Sequence, residues 1–174
     1  MARKLHARIT HLEMRVPPAQ RVHAPMGFAL ALMRAEAVPL HFYRYLYEVI
    51  GRPHHWQMRR GLDDEALSAI LHAETTAIEV LYCDGAPAGF FELDLASLPE
   101  AVEIKYFGLV PDFQGRGLAR FLLSAAIFSA WDRRPGKLTI ETNTLDSPRA
   151  LQLYQKMGFS PVAWSQQMIP AWDD

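Results

Sequence analysis

The sequence predicts a mixed α/β fold in one domain, a sheet with helices on both faces. Three observations lead there. The chain has 174 residues, and a domain takes roughly 150. Half of the residues are hydrophobic, enough for a sizeable core. The apolar period switches along the chain between two residues and three to four, in the order β-β-α-α-β-β-β-α-β-α-β.

The first strand is expected over about Ile9 to Val16, where Pro17 and Pro18 remove backbone donors. A proline-bearing loop runs to Gly27, and Phe28 to Arg34 is the second strand. Leu40 to Gly51 carries Phe42, Tyr43, Leu46, Tyr47 and Ile50 at helical steps, closed by Gly51. Arg52 to Gly61 is a loop. Asp63-Asp64-Glu65 sets acceptors and negative charge at the start of a second helix. Ala77 to Tyr82 and Gly89 to Leu95 flank Asp84-Gly85, a hairpin pair suited to two positive φ angles. Ala101 to Val110 is a strand stopped by Pro111. Gly117 to Trp131 is a helix apolar on most sides, hence deeply buried. Lys137 to Thr142 is a strand, Pro148 to Met157 a short helix followed by Gly158, and Val162 to Ile169 a last strand.

Charge narrows the classes of function. Eighteen Lys and Arg against 19 Asp and Glu leave a net charge of −1, which argues against a general electrostatic hold on nucleic acid or an acidic membrane. The single cysteine, Cys83, excludes an internal disulfide and a multi-cysteine zinc site and fits a reducing, cytoplasmic setting. No apolar run reaches about 18 residues, so no bilayer span is expected. Met1 to His6 has basic residues without a following apolar stretch, unlike a secretory signal. No metal site is expected: adjacent His54 and His55 diverge, and there is no His-Glu-x-x-His.

The most informative stretch is Val110-Pro111-Asp112-Phe113-Gln114-Gly115-Arg116-Gly117-Leu118-Ala119-Arg120. It joins a strand to the start of an apolar helix. Small residues at Gly115, Gly117 and Ala119 let a ligand approach the backbone. The first N–H groups of the helix have no partner within it and form an anion site. Arg116 and Arg120 add positive charge, which favours a pyrophosphate. A Walker loop would require Lys-Ser/Thr where Leu118-Ala119 stands, and a dinucleotide fingerprint would require a small residue at Arg120.

The remaining pattern, Gln-x-x-Gly-x-Ala from Gln114 to Ala119, resembles the coenzyme A loop of the GNAT (Gcn5-related N-acetyltransferase) superfamily. A second signature follows in order. Arg149 to Phe159 contains Ala150, Leu153, Tyr154, Lys156, Gly158 and Phe159, similar to the family's Ala-x-x-Leu-Tyr-x-Lys-x-Gly-Phe helix. The two motifs and the strands between them cover residues 101 to 162. Phe42 to Arg60 is similar to a bacterial branch of the superfamily. The resemblance implies a GNAT-like, mostly antiparallel sheet of about six or seven strands, splayed in the middle.

It also implies transfer of acetyl from acetyl-CoA to an amine, on a small molecule or a peptide, with no nucleic-acid or membrane partner. Phe107, Gly108 and Leu109 would offer main-chain groups to the cofactor, with a bulge at Gly108 and a backbone N–H near Leu109 polarising the thioester carbonyl. Gln114, Gly115, Arg116, Gly117, Leu118, Ala119 and Arg120 would hold the pyrophosphate. Many members carry Asn seven residues before the tyrosine, where this chain has Ser147. Asn143 either substitutes or is only a polar strand end.

Glu103 lies 11 residues before Gln114, the offset of the glutamate base in the histone-acetylating branch. It either takes the amine's proton or pairs with Lys105 or a cross-strand partner. Strand alternation sets it on one face with Lys105 and Phe107, opposite Val102, Ile104 and Tyr106. Tyr154 occupies the position of the family's general acid, or else is a core aromatic. On the acceptor side Tyr45 and Trp56 are the candidates. Trp164 and Trp172, expected to be exposed, suggest a homodimer. The alternative to an enzyme is an acyl-CoA-binding sensor of the same fold.

Overall fold

The computed structural model describes residues 3–172. Its seven strands form one sheet in the order β2-β3-β4-β5-β6-β1-β7: β1 (Lys4–Met14), β2 (Leu30–Arg34), β3 (Thr76–Cys83), β4 (Ala86–Asp94), β5 (Val102–Leu109), β6 (Leu138–Asn143) and β7 (Ser160–Pro170). The helices are α1 (Leu40–Gly51), α2 (Asp64–Leu71), α3 (Leu118–Trp131) and α4 (Ala150–Lys156). The order of elements matches the sequence reading, and the sheet is mixed, mostly antiparallel and open in the middle.

Two cores flank the sheet. On one face Tyr43, Leu46 and Ile50 of α1 and Leu67 of α2 pack on Ile78, Val80 and Phe90. On the other, Leu118, Leu122, Leu123 and Ile127 of α3 and Tyr154 of α4 pack on Phe91, Leu93, Ile104 and Ile140. The β1–β2 loop crosses the outside of α3, where Val22 N–H donates to Ser124 Oγ (2.9 Å) and Arg21 lies 4.3 Å over the Phe128 ring. That cover explains why α3 is apolar on most sides.

Local signals behave as expected. Asp84 and Gly85 turn at φ +51° and +85°, and the Asp63 carboxylate accepts from Ala66 N–H at 2.8 Å to cap α2. Boundaries moved where neighbours decided them. β1 begins five residues earlier than expected, at Lys4, because it pairs with β7 from Lys4 to Glu13. Phe28 and Ala29 stay outside β2, Ala29 N–H being taken by Asp84 Oδ1 at 2.8 Å. Pro148 and Arg149 form a turn ahead of α4.

The feature that positions a site is the β5–β6 pair. It is parallel and holds over three residues only, Val102–Ile104 against Leu138–Ile140. Beyond it the strands part. The register of β5 against β4 also slips there, Tyr106 facing Glu92 while Ile104 faces Leu93, so Lys105 is the extra residue of a bulge. This corrects the expectation of a bulge at Gly108. Gly108 is small for another reason: a Cβ there would overlap Ile50 of α1. The bulge also reverses the alternation. Ile104 joins the α3 core and Tyr106 the α1 core, so Glu103 shares its face with Tyr106 rather than with Phe107.

Candidate active site

Where β5 and β6 part, a cleft of about 890 Å³ opens. One end is the turn before α3. Gly115 and Gly117 sit at φ +76° and +79°, left-handed values that glycine takes without strain. Gly117 is the N-cap of α3, with no side-chain cap and no acidic residue in the first turn. A Cβ on Gly115 would meet nothing within 4 Å, and one on Gly117 only Pro25 Cβ at 3.9 Å. Gly115, Gly117, Leu118, Ala119 and Arg120 line the cleft, so the start of α3, whose first amides have no partner within the helix, borders it, and such helix starts bind anions.

The cleft's wall is the open edge of β5. Val110 N–H donates to Ala88 O at 2.8 Å, so Val110 and Gly108 turn their main-chain groups to β4. By alternation Phe107 and Leu109 turn theirs to the split. Gln114 Nε2 donates to Leu109 O at 3.4 Å, tying the turn to the strand end.

Tyr154 is buried and meets the rings of Phe107 and Phe159 edge-on, at 6.3 and 6.4 Å between centroids. Burial, and then the charge of Asp146, push its phenol well above the ordinary value, so it remains protonated at neutral pH. No hydrogen bond to its hydroxyl is found among the described residues. Asn143 also lines the cleft; its Oδ1 accepts from Leu145 N–H at 2.8 Å, which holds the carboxamide by its oxygen and leaves the amide nitrogen as a donor. Ser147 Oγ accepts from Arg149 N–H at 3.3 Å.

Glu103 lies at the parting point, partly buried, with Lys105 Nζ at 3.6 Å. Burial raises its pKa; Lys105 opposes this, and Glu141 and Asp94 add to it. Glu141, held by His11 Nδ1 at 2.9 Å, is a second carboxylate on the cleft that sequence reasoning missed. Its only signal was a charged residue in the middle of a strand, between Ile140 and Thr142.

At the acceptor end Trp56 lines the cleft, its ring tilted against those of Tyr47 and Tyr106 with centroids 5.3 and 4.9 Å away. Tyr45 does not: it stands 48% exposed on α1, turned away from the cleft by the helical step between it and the buried Tyr43 and Tyr47. Behind Trp56 runs a buried polar chain. Glu92 accepts from Tyr43 Oη (2.6 Å) and Arg59 Nη2 (2.7 Å), Arg59 N–H donates to Tyr47 Oη (3.2 Å), and Tyr47 and Tyr106 hydroxyls are 3.3 Å apart. Burial disfavours the charge on Arg59, but the Glu92 carboxylate more than offsets this and holds the guanidinium above its usual pKa. Trp172, expected to be exposed, is instead packed against Trp56 and Arg60, whereas Trp164 is 57% exposed on β7.

The sheet thus splits beside a parallel strand pair, next to a glycine-lined turn that opens α3. The sequence profile described as the acetyltransferase (GNAT) domain matches residues 74–161. The chain belongs to the GNAT acetyltransferase family.

Solved structures share the fold. A GCN5-related N-acetyltransferase from Sphaerobacter thermophilus is 18% identical, with a TM-score of 0.62 over 99% of this chain and 55% of that one. A tandem GNAT protein from the clavulanic acid biosynthesis pathway is 13% identical, with a TM-score of 0.63 over 99% of this chain and 56% of that one. An aminoglycoside acetyltransferase from an uncultured soil metagenomic sample is 14% identical, with a TM-score of 0.60 over 74% and 86%. The chain thus spans less than two thirds of several relatives, including two others at 62% and 65% of their length. At these identities the likeness shows the fold alone. No curated protein matches the sequence significantly.

Proposed function

We propose that this protein is an acetyl-CoA-dependent N-acetyltransferase that joins cofactor and amine acceptor in one complex and transfers acetyl by direct attack. The supporting observation is that one cleft is lined by the anion-binding turn, the open edge of β5, Glu103 and Tyr154.

The open space above Gly115 and Gly117 suits a diphosphate, held by the first amides of α3, with Arg116 and Arg120 as flanking charge. When bound, acetyl-CoA supplies the acetyl group as an activated thioester. Phe107 and Leu109 offer main-chain partners to the pantetheine arm, and the Leu109 N–H serves as donor to the acyl carbonyl. Glu103, its pKa raised by burial, accepts the proton of the acceptor ammonium. Tyr154, kept neutral, gives its proton to the departing sulfur. Trp56 and Tyr106 form the aromatic side of the acceptor end. Asn143 offers its amide nitrogen as a donor.

The acceptor is an amine on a small molecule or peptide, and the setting a reducing one such as the cytoplasm. β7 is an edge strand without a charged residue, and Trp164 and Met168 are exposed on it. Two copies can align such strands without like-charge repulsion, which supports a homodimer; sedimentation at twice 19.7 kDa tests it.

The function is tested by free-thiol release from acetyl-CoA over a panel of arylalkylamines, polyamines, aminoglycosides and peptides. Acceptor-dependent release is expected. Coenzyme A binding without release for any acceptor would make the protein an acyl-CoA sensor instead.

A further inference from the structure

The wall at the acceptor end is a strap of residues 55–62, which contains no α-helix or strand. It follows a short 3-10 turn, Arg52–His54, and reverses at His55, whose φ is +56°. Trp56, Gln57 and Met58 of this strap line the cleft. Its backbone N–H groups bond locally: His55 to Arg52 O (3.2 Å), Trp56 to Gly51 O (3.1 Å), Arg60 to Gln57 O (3.1 Å), Leu62 to Arg59 O (3.4 Å) and Arg59 to Tyr47 Oη (3.2 Å). On its inner side the Arg59 guanidinium donates to Glu92 (2.7 Å), and at its end Leu62 O accepts from Arg44 Nη2 (3.0 Å).

The strap's outer side is fastened by a segment more than 110 residues away. Trp172 N–H donates to His55 Nδ1 (3.0 Å), and the indole Nε1–H donates to Trp56 O (2.6 Å). Gln57 Nε2 donates to Pro170 O (2.6 Å), and the Arg60 guanidinium lies 4.2 Å over the Trp172 ring. The fastening segment is itself anchored, because Ala171 is buried and its N–H donates to Arg3 O at 2.7 Å. None of these contacts touches the turn at Gly115 and Gly117 or the open edge of β5.

We infer that Trp172 is a positioning residue for the acceptor: by bonding to His55 and Trp56 it fixes the Trp56–Met58 wall, and so sets acceptor affinity without touching cofactor or acceptor. The inference rests on the acetyltransferase reading for its catalytic consequence, but not for its structural one. The indole bond to Trp56 O comes from the side chain and the bond to His55 from the backbone, so substitutions separate them. Trp172→Phe keeps a ring and the backbone donor but loses the Nε1–H. Trp172→Ala removes the ring as well.

The test compares wild type, Trp172→Phe and Trp172→Ala in three measurements: kinetics with the best amine of the panel, coenzyme A affinity by calorimetry, and hydrogen exchange on the free protein. In Trp172→Ala the acceptor KM should rise about tenfold, as the loss of a hydrogen bond and its packing implies, with kcat and coenzyme A affinity unchanged. Exchange at the Trp56, Arg59 and Arg60 amides should quicken while the sheet amides hold. Trp172→Phe should fall between. Unchanged exchange at these amides, exchange quickened throughout the molecule, or an unchanged acceptor KM in an active enzyme would each overturn the inference. If wild type releases no thiol with any amine, the acetyltransferase reading fails, and hydrogen exchange alone still decides whether Trp172 holds the strap.

Discussion

Replacing Glu92 with Gln tests how the acceptor wall is held from within. Glu92 is 2% exposed in its side chain, and Arg59, which it binds at 2.7 Å, is 11% exposed. The amide can still accept one hydrogen bond, from Arg59 or from Tyr43, but the counter-charge is gone and a guanidinium remains in the α1 core. Removing one partner of such a pair costs about 3–5 kcal/mol. For a chain of this size each kcal/mol shifts Tm by roughly 2–4 °C, so a drop on the order of 10 °C is expected. Differential scanning calorimetry with urea titration gives both numbers. The double variant Arg59→Met, Glu92→Met removes both charges and should recover most of the loss, because the cost lies in the orphaned charge rather than in the lost attraction. A Glu92→Gln protein within about 1 kcal/mol of wild type, or a double variant no better than the single one, would refute this account of the pair.

Three further outcomes are expected. Glu103→Gln should lower kcat/KM at neutral pH about 100-fold. The wild-type rate should fall on acidification from a pH above the usual glutamate range, since burial raises the Glu103 pKa and the ionised form is the base; the variant should lose that limb, and a pH–rate profile checks both. Tyr154→Phe should lower kcat by about two orders of magnitude with acetyl-CoA affinity unchanged in calorimetry; an unaltered kcat would remove the phenol from the mechanism. Gly117→Glu should abolish coenzyme A binding, because the site combines φ +79° with the open anion position, and retained micromolar affinity would show that the turn is not the cofactor's seat.

The parts legible in the sequence were those decided within a few residues. Asp84-Gly85 dictates its turn, Asp63 its cap, and Gly115 and Gly117 the turn into α3, because each depends on local φ, a nearby donor or a helix start. The parts that were not legible depend on partners far along the chain. Lys105 is a bulge only because β4 slips against β5, and that slip moved Glu103 to the face of Tyr106. β1 reads as a shorter strand because Lys4, His6 and Arg8 are polar, and their place is set by β7. Gly108 looked like a bulge glycine and proved to be clearance for Ile50. Trp172 looked like a surface aromatic, since nothing near it in sequence reveals the strap it fastens.

The insertion of β1 between β6 and β7 has a consequence for biosynthesis. Ile9 pairs with Asn143 and Lys4 with Pro170, so β1, made before the other six strands of this sheet, has no neighbours until β6 and β7 emerge. At about 5–20 residues per second that wait is on the order of 10 s. During it the half-sheet β2 to β5 can assemble on α1 and α2, while the β6 side of the cleft does not yet exist. A nascent chain arrested before residue 138 should therefore have its hairpins in place and still be unable to retain coenzyme A.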